Sequence, residues 1–176
     1  MEIYEALRKD HDTIKQLFRD LLSLRDDDTK NRKALIEQIR DELIPHARAE
    51  ETVFYNSLRE LKLTKELAVD GYREHIEAEA LLRLMQLQDK ANMDWKATAA
   101  KLQQALEHHI QEEETRFFEA ARSNFTREEA EMFAAAFEKL KPKIREQSIM
   151  GTTLDMVANM MPPRFSGIFR NGSPPI

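Results

Sequence analysis

His46 and His109 each open the same ten-residue phrase. The first copy reads His46-Ala47-Arg48-Ala49-Glu50-Glu51-Thr52-Val53-Phe54-Tyr55, the second His109-Ile110-Gln111-Glu112-Glu113-Glu114-Thr115-Arg116-Phe117-Phe118. Residues four apart on a helix share one face, about one turn (roughly 6 Å) apart. Each copy therefore presents an imidazole beside a carboxylate, which is a ligand set for a transition metal. His75 and Glu79 repeat the same spacing, and a lone His11 precedes them all.

These groups can act together only if the chain brings them to one level. Apolar periodicity predicts four helices. The first covers residues 2–24, with Ile3, Leu7, His11, Ile14, Phe18 and Leu21 on one stripe. The second covers 30–61, with Leu35, Ile39, Leu43, His46, Glu50, Phe54 and Leu58 inward. The third covers 65–89, with Thr64 as its N-cap and Ala68, Tyr72, His75, Glu79 and Leu82 on its stripe. The fourth covers 95–122, with Trp95, Ala99, Leu102, Leu106, His109, Glu113 and Phe117 inward. In an antiparallel hairpin, facing residues are equidistant from the turn. The midpoint of His11 and His46 falls in the Asp28-Thr29 loop. That of the His46/Glu50 and His75/Glu79 pairs falls beside Thr64. That of the His75/Glu79 and His109/Glu113 pairs falls at Asp94. An up-down-up-down bundle with short loops thus brings His11, His46, Glu50, His75, Glu79, His109 and Glu113 together.

The expected fold is all-α: this four-helix bundle over 1–122, an additional helix over 123–149, and an irregular tail over 150–176. Thr126 and Glu129 form a capping box at the start of the fifth helix, which runs to about Gln147 with Pro142 as an interruption or kink. Gly and Pro punctuate the tail, yet it carries Leu154, Met156, Val157, Met160, Met161, Phe165, Ile168 and Phe169. That apolar content suits packing on the bundle, self-association or a protein partner. Pro45, just before His46, is expected to kink the second helix and aim the imidazole.

Composition bounds the chemistry. The chain has no Cys, which excludes disulfides, thiolate metal sites and iron–sulfur clusters. Its net charge of -5 argues against a nucleic-acid partner, because phosphate needs basic surface. No apolar run is long enough to span a membrane, and the charged first residues show no signal peptide, so the expectation is a cytoplasmic protein.

Four imidazoles and three carboxylates exceed one tetrahedral zinc and suit two irons with an open coordination position. The fifth histidine, His108, lies on a polar helix face and is expected in solvent. The order of a lone His followed by three HxxxE pairs resembles the hemerythrin-like (HHE cation-binding) family over about residues 1–122. The resemblance implies a non-haem di-iron site, oxo- or hydroxo-bridged, that binds dioxygen or related small molecules. It implies His11 and His46 as ligands of one iron, and His75, Glu79 and His109 as ligands of the other. Glu50 and Glu113 then bridge. Oxygen-carrying hemerythrins have a His where this chain has Glu79, and a carboxylate five residues after the last His rather than four. Glu114 stands at that fifth place, but the repeat with Glu50 favours Glu113. The extra negative charge of Glu79 favours ferric iron, which points to sensing, iron handling or reaction with peroxide or nitric oxide rather than oxygen carriage. Glu51, Glu74 and Glu114 read as solvated residues or hydrogen-bond partners of ligands. Tyr72 shares the His75 face, and Phe54, Tyr55, Phe117 and Phe118 read as core aromatics walling the pocket.

Overall fold

Polar runs and caps break the chain into helices where the periodicity ends. A computed structural model describes residues 1–146 and 161–165, and among these every regular element is helical. The elements are α1 (Ile3–Ser23), α2 (Thr29–Glu50), π1 (Glu51–Tyr55), α3 (Asn56–Arg59), α4 (Lys65–Lys90), α5 (Lys96–Glu112), π2 (Glu113–Phe117), α6 (Phe118–Arg122) and α7 (Arg127–Glu146). Asp28 caps α2 by accepting from the Asn31 amide at 3.2 Å. Thr126 and Glu129 exchange the two bonds of a capping box before α7. Thr64 departs from its predicted role. It stands at the N-cap position of α4, but its buried hydroxyl donates back to the Leu58 carbonyl at 2.5 Å. Asn92, at φ 53°, turns the chain out of α4.

The repeated phrase holds a feature that periodicity did not predict. Both copies pass into a π-helix, whose wider turn inserts one extra residue. Thr52 and Thr115 make the same bond in each copy, donating to the carbonyls of Arg48 and Gln111 one turn back, each at 2.7 Å. The extra residue lets two successive aromatics turn inward. Phe54 and Tyr55 are fully buried in the first copy, Phe117 and Phe118 almost fully in the second.

Around the bundle, α1 packs on α2, α2 on α4, α4 on α5, and α5 back on α1. Short connections make successive helices antiparallel. The fifth helix, α7, lies across α1 and α2. Two apolar clusters sit at opposite ends. One gathers Ile3, Leu7, Phe54, Phe118, Phe133 and Phe137, the other Phe18, Ile39, Leu82, Trp95 and Leu102. In the latter, Ile36 rather than Leu35 is the fully inward residue of α2. Pro45 and Pro142 both lie inside continuous helices, α2 and α7. Of the tail, Met161 and Phe165 are buried. The Phe165 ring lies 5.5 Å from Phe125, and Arg164 donates to the Asn124 carbonyl at 2.6 Å. Leu154, Met156, Val157, Met160, Ile168 and Phe169, like Gln147, lie outside the described residues. No described helix is long and apolar enough to cross a membrane.

Candidate metal centre

Between the two apolar clusters, four helices each turn one imidazole inward: His11 from α1, His46 from α2, His75 from α4 and His109 from α5. They stand as two pairs, with ring centroids 5.1 Å apart for His11 and His46 and 4.7 Å apart for His75 and His109. The carboxylates lie between the pairs. Glu50 Oε2 is 3.5 Å from His46 Nε2 and 3.4 Å from His75 Nε2. Glu113 Oε2 is 3.2 Å from His11 Nε2 and 3.9 Å from His109 Nε2. Each carboxylate therefore faces one histidine of each pair. Atoms of Glu50, His75 and His109 lie within 4.8 Å of one another, close enough to hold one ion.

The site is costly without a cation. Both oxygens of Glu50, both of Glu113, and His11 Nε2 are buried with no hydrogen-bond partner. Each such group, desolvated and unpaired, costs about 1–3 kcal/mol, more when charged. The nitrogens His75 Nε2 and His109 Nε2 sit 3.2 Å apart, an approach that two lone pairs make only with a proton or cation between them. Burial, and then the Glu113 charge, push the Glu50 carboxyl well above its ordinary range. Burial acts on Glu113 in the same direction, but the close approach of Glu50 and of the His11 imidazole outweighs it and holds Glu113 low. Burial lowers His46 to about 4, making it a neutral donor. In His11 burial is outweighed by the adjacent Glu113 carboxylate and the Nδ1 bond to Glu114, which raise it to about 9. These features fit a bound multivalent cation, which would neutralise both carboxylates and occupy the inward nitrogens.

On its outer side each of these four histidines is held by an acid through Nδ1. His11 donates to Glu114 at 2.8 Å, His46 to Asp10 at 3.1 Å, His75 to Glu51 at 3.0 Å and His109 to Glu74 at 2.7 Å. Such bonds fix the tautomer and leave the Nε2 lone pair facing the centre, where it is available to a cation. Three of these acids, Glu51, Glu74 and Glu114, were legible as partners. Asp10 was missed, although an acid adjoining a candidate ligand, here His11, is the same signal the other three carry.

Tyr55 forms the floor. Its ring stacks on His75 at 5.2 Å and its hydroxyl lies 3.4 Å from His109 Nε2. Gly71 makes room for it, since a Cβ there would stand 2.6 Å from Tyr55 Cε2. Tyr72 bonds the Glu51 carbonyl and the Asn56 side chain, and its ring packs edge-on against Tyr55. Opposite Tyr55, a small chamber is bounded by the four imidazoles and by Ile14, Leu43, Leu106 and Ile110. A cleft between α2 and α4, lined in part by Ala47, Arg48, Ala78 and Glu79, reaches His75 from outside.

Six of the seven predicted site residues come together. Glu79 does not join them. Its carboxylate is taken by Arg48 at 2.5 Å and by Arg83 at 2.6 Å, at the cleft rather than the centre. His108 is exposed, as its polar face implies, 4.0 Å from Glu74.

Residues 2–121 match the family model described as the hemerythrin HHE cation binding domain. The chain is also similar to a protein from Nostoc sp. (strain PCC 7120 / SAG 25.82 / UTEX 2576) named DNA nickase. The two are 29% identical over 150 residues, which make up 84% of this chain and 41% of that protein. The chain therefore spans less than half the length of that relative.

Proposed function

This chain belongs to the hemerythrin HHE cation-binding domain family, and on that footing we propose that its bundle holds two non-haem irons that bind or sense a small molecule: dioxygen, nitric oxide or peroxide. His11 and His46 would hold one iron and His75 and His109 the other, with Glu50 and Glu113, each facing one histidine of each pair, supplying the carboxylates between them. The observation that carries this reading is the group of five buried, unpartnered atoms of Glu50, Glu113 and His11, all belonging to residues that converge between two histidine pairs. An N/O donor set larger than four, without thiolate, suits iron better than structural zinc. Glu79 is left out of the set, because Arg48 and Arg83 occupy its oxygens.

Bound iron would supply an open coordination position and a redox couple. The chain supplies the rest. Ile14, Leu43, Leu106 and Ile110 give the chamber an apolar wall, which admits small uncharged molecules and excludes bulk water. Tyr55 offers a hydroxyl on the other side, and burial keeps its proton on, so it can donate a hydrogen bond.

A second reading, an oxidoreductase consuming peroxide or nitric oxide, draws on the cleft between α2 and α4, which could pass reactant and product. The net charge of -5 supports a function without nucleic acid, so the strand-cutting activity named for the longer relative is not carried over.

Spectral titration of the iron-loaded protein with dioxygen, nitric oxide and hydrogen peroxide tests the proposal. A saturable change with at least one ligand and no turnover supports binding or sensing. Steady consumption supports the oxidoreductase. No response to any of the three would contradict both.

A further inference from the structure

Helix geometry, applied to the acids next to the candidate ligands, yields a relationship across the whole bundle. We infer that Asp10, Glu51, Glu74 and Glu114 form a closed ring of positioning residues, in which each helix orients the metal-binding histidine of the next, and that Lys141 ties α7 into that ring. The inference rests on the reading of the four histidines as ligands.

Each acid adjoins a candidate ligand in sequence, yet serves a histidine on another helix. Asp10, beside His11 on α1, accepts from His46 of α2. Glu51, beside Glu50, accepts from His75 of α4. Glu74, beside His75 on α4, accepts from His109 of α5. Glu114, beside Glu113, accepts from His11 of α1. Glu51 stands in π1, which continues α2, and Glu114 in π2, which continues α5, so the order of service, α1 to α2/π1 to α4 to α5/π2 to α1, is the packing order of the bundle.

The cause is the helical step. Neighbouring residues are rotated by about 100° around the axis. When one faces the centre, the next faces the flank, where the back of the adjacent helix's imidazole lies. The direction is consistent as well. Asp10 and Glu74 precede their inward neighbours, while Glu51 and Glu114 follow theirs. Antiparallel helices reverse the sense of rotation, so a step back on one and a step forward on the next turn the same way around the bundle. The alternation is what an up-down-up-down bundle requires for four acids to point in one sense.

Two consequences follow. All four Nε2 atoms are aimed inward by one rule, and each imidazole is made a stronger donor by an anion behind it. No pair of helices carries a fully supported histidine pair, because each histidine needs the helix before it in the ring. Cations back the ring at three links: Arg48 at Glu51 (2.9 Å), Arg8 at Glu114 (3.2 Å) and Lys141 at both oxygens of Asp10 (2.8 Å each). Lys141 comes from α7, beyond the family-matched residues, and Phe137 of the same helix packs edge-on against His46 at 5.6 Å. The fifth helix is thereby a support of the centre.

The test uses the full chain in two states. In the metal-free protein, 15N resonances of the histidine rings are compared between wild type and D10N, E51Q, E74Q, E114Q and K141M. Each acid variant should shift the histidine of the next helix; E74Q should move His109 and spare His75, and K141M should move His46. In the iron-loaded protein, retention against a chelator is measured for alanine and carboxamide variants. Alanine should weaken retention about 10- to 100-fold, and the carboxamide, which still accepts from Nδ1, should restore part of it. Thermal midpoints of the metal-free variants separate this from loss of folding. Shifts confined to same-helix neighbours, or no shifts, would overturn the ring. So would unchanged retention in all four alanine variants. Absence of iron in the wild type would instead count against the ligand reading and leave the resonance comparison to judge the ring.

Discussion

Arg48 holds the Glu79 carboxylate at 2.5 Å on the flank between α2 and α4, outside the group of inward-facing histidine nitrogens. The same guanidinium donates to Glu51, which in turn accepts from His75. Glu79 has the i+4 spacing of a ligand, but its charge is balanced by arginines.

Substitution separates the two roles. E79Q should leave the iron content per chain unchanged, whereas H46A and E113A should lose metal, and H108A should not. Elemental analysis of the purified variants checks this. Iron lost from E79Q would return Glu79 to the ligand set.

Gly71 is required by Tyr55. A methyl group at residue 71 would meet the Tyr55 ring at 2.6 Å, a close approach to a fully buried ring stacked on His75. G71A should destabilise the fold by about 1–3 kcal/mol, the usual cost of overpacking. Combined with Y55A, its additional cost should largely vanish. Denaturant melts of the single and double variants would show additivity if the two residues did not meet.

At the other end of the bundle, Arg32 and Asp89 form a buried ion pair at 2.5 Å, with the guanidinium over the Trp95 ring. D89A would leave the arginine buried without its counter-charge and should cost about 3–5 kcal/mol. R32M/D89L, which removes both charges, should recover much of the loss. A double variant no more stable than D89A would contradict the assignment.

Metal-free stability should fall toward both acid and alkaline pH. His11, raised to about 9 as its acid partners outweigh burial, contributes stability that is full below its unfolded value near 6.5 and lost as pH rises through 9. His46, lowered to about 4 by burial, contributes stability that is present above about 6.5 and lost as pH falls through 4. Thermal midpoints of the metal-free protein against pH should show both limbs. H11Q should flatten the alkaline limb and H46Q the acid limb; unchanged slopes would contradict these assignments.

The bundle was legible because its turns lie midway between the His/Glu pairs, and the meeting of six of the seven candidate residues was legible because polar groups on apolar stripes need a partner. Other features are set by groups remote in sequence. Glu79 has the same spacing as Glu50 and Glu113; only Arg48, on a neighbouring helix, and Arg83 draw it away. The π turns after the repeated motif add a residue without disturbing composition, so Phe54 and Tyr55 turn inward together where strict α-periodicity allows one. Lys141 reaches Asp10 from a fifth helix whose own pattern says only that it is amphipathic.

The central claim is that six side chains from four helices make one di-iron site. The most direct measurement is iron per folded chain after expression in iron-rich medium, with an absorption spectrum of the same sample. The account predicts about two irons per chain, with ferric charge-transfer bands that disappear in E50A and E113A. One metal per chain, zinc alone, or iron that survives loss of Glu50 and Glu113 would contradict it.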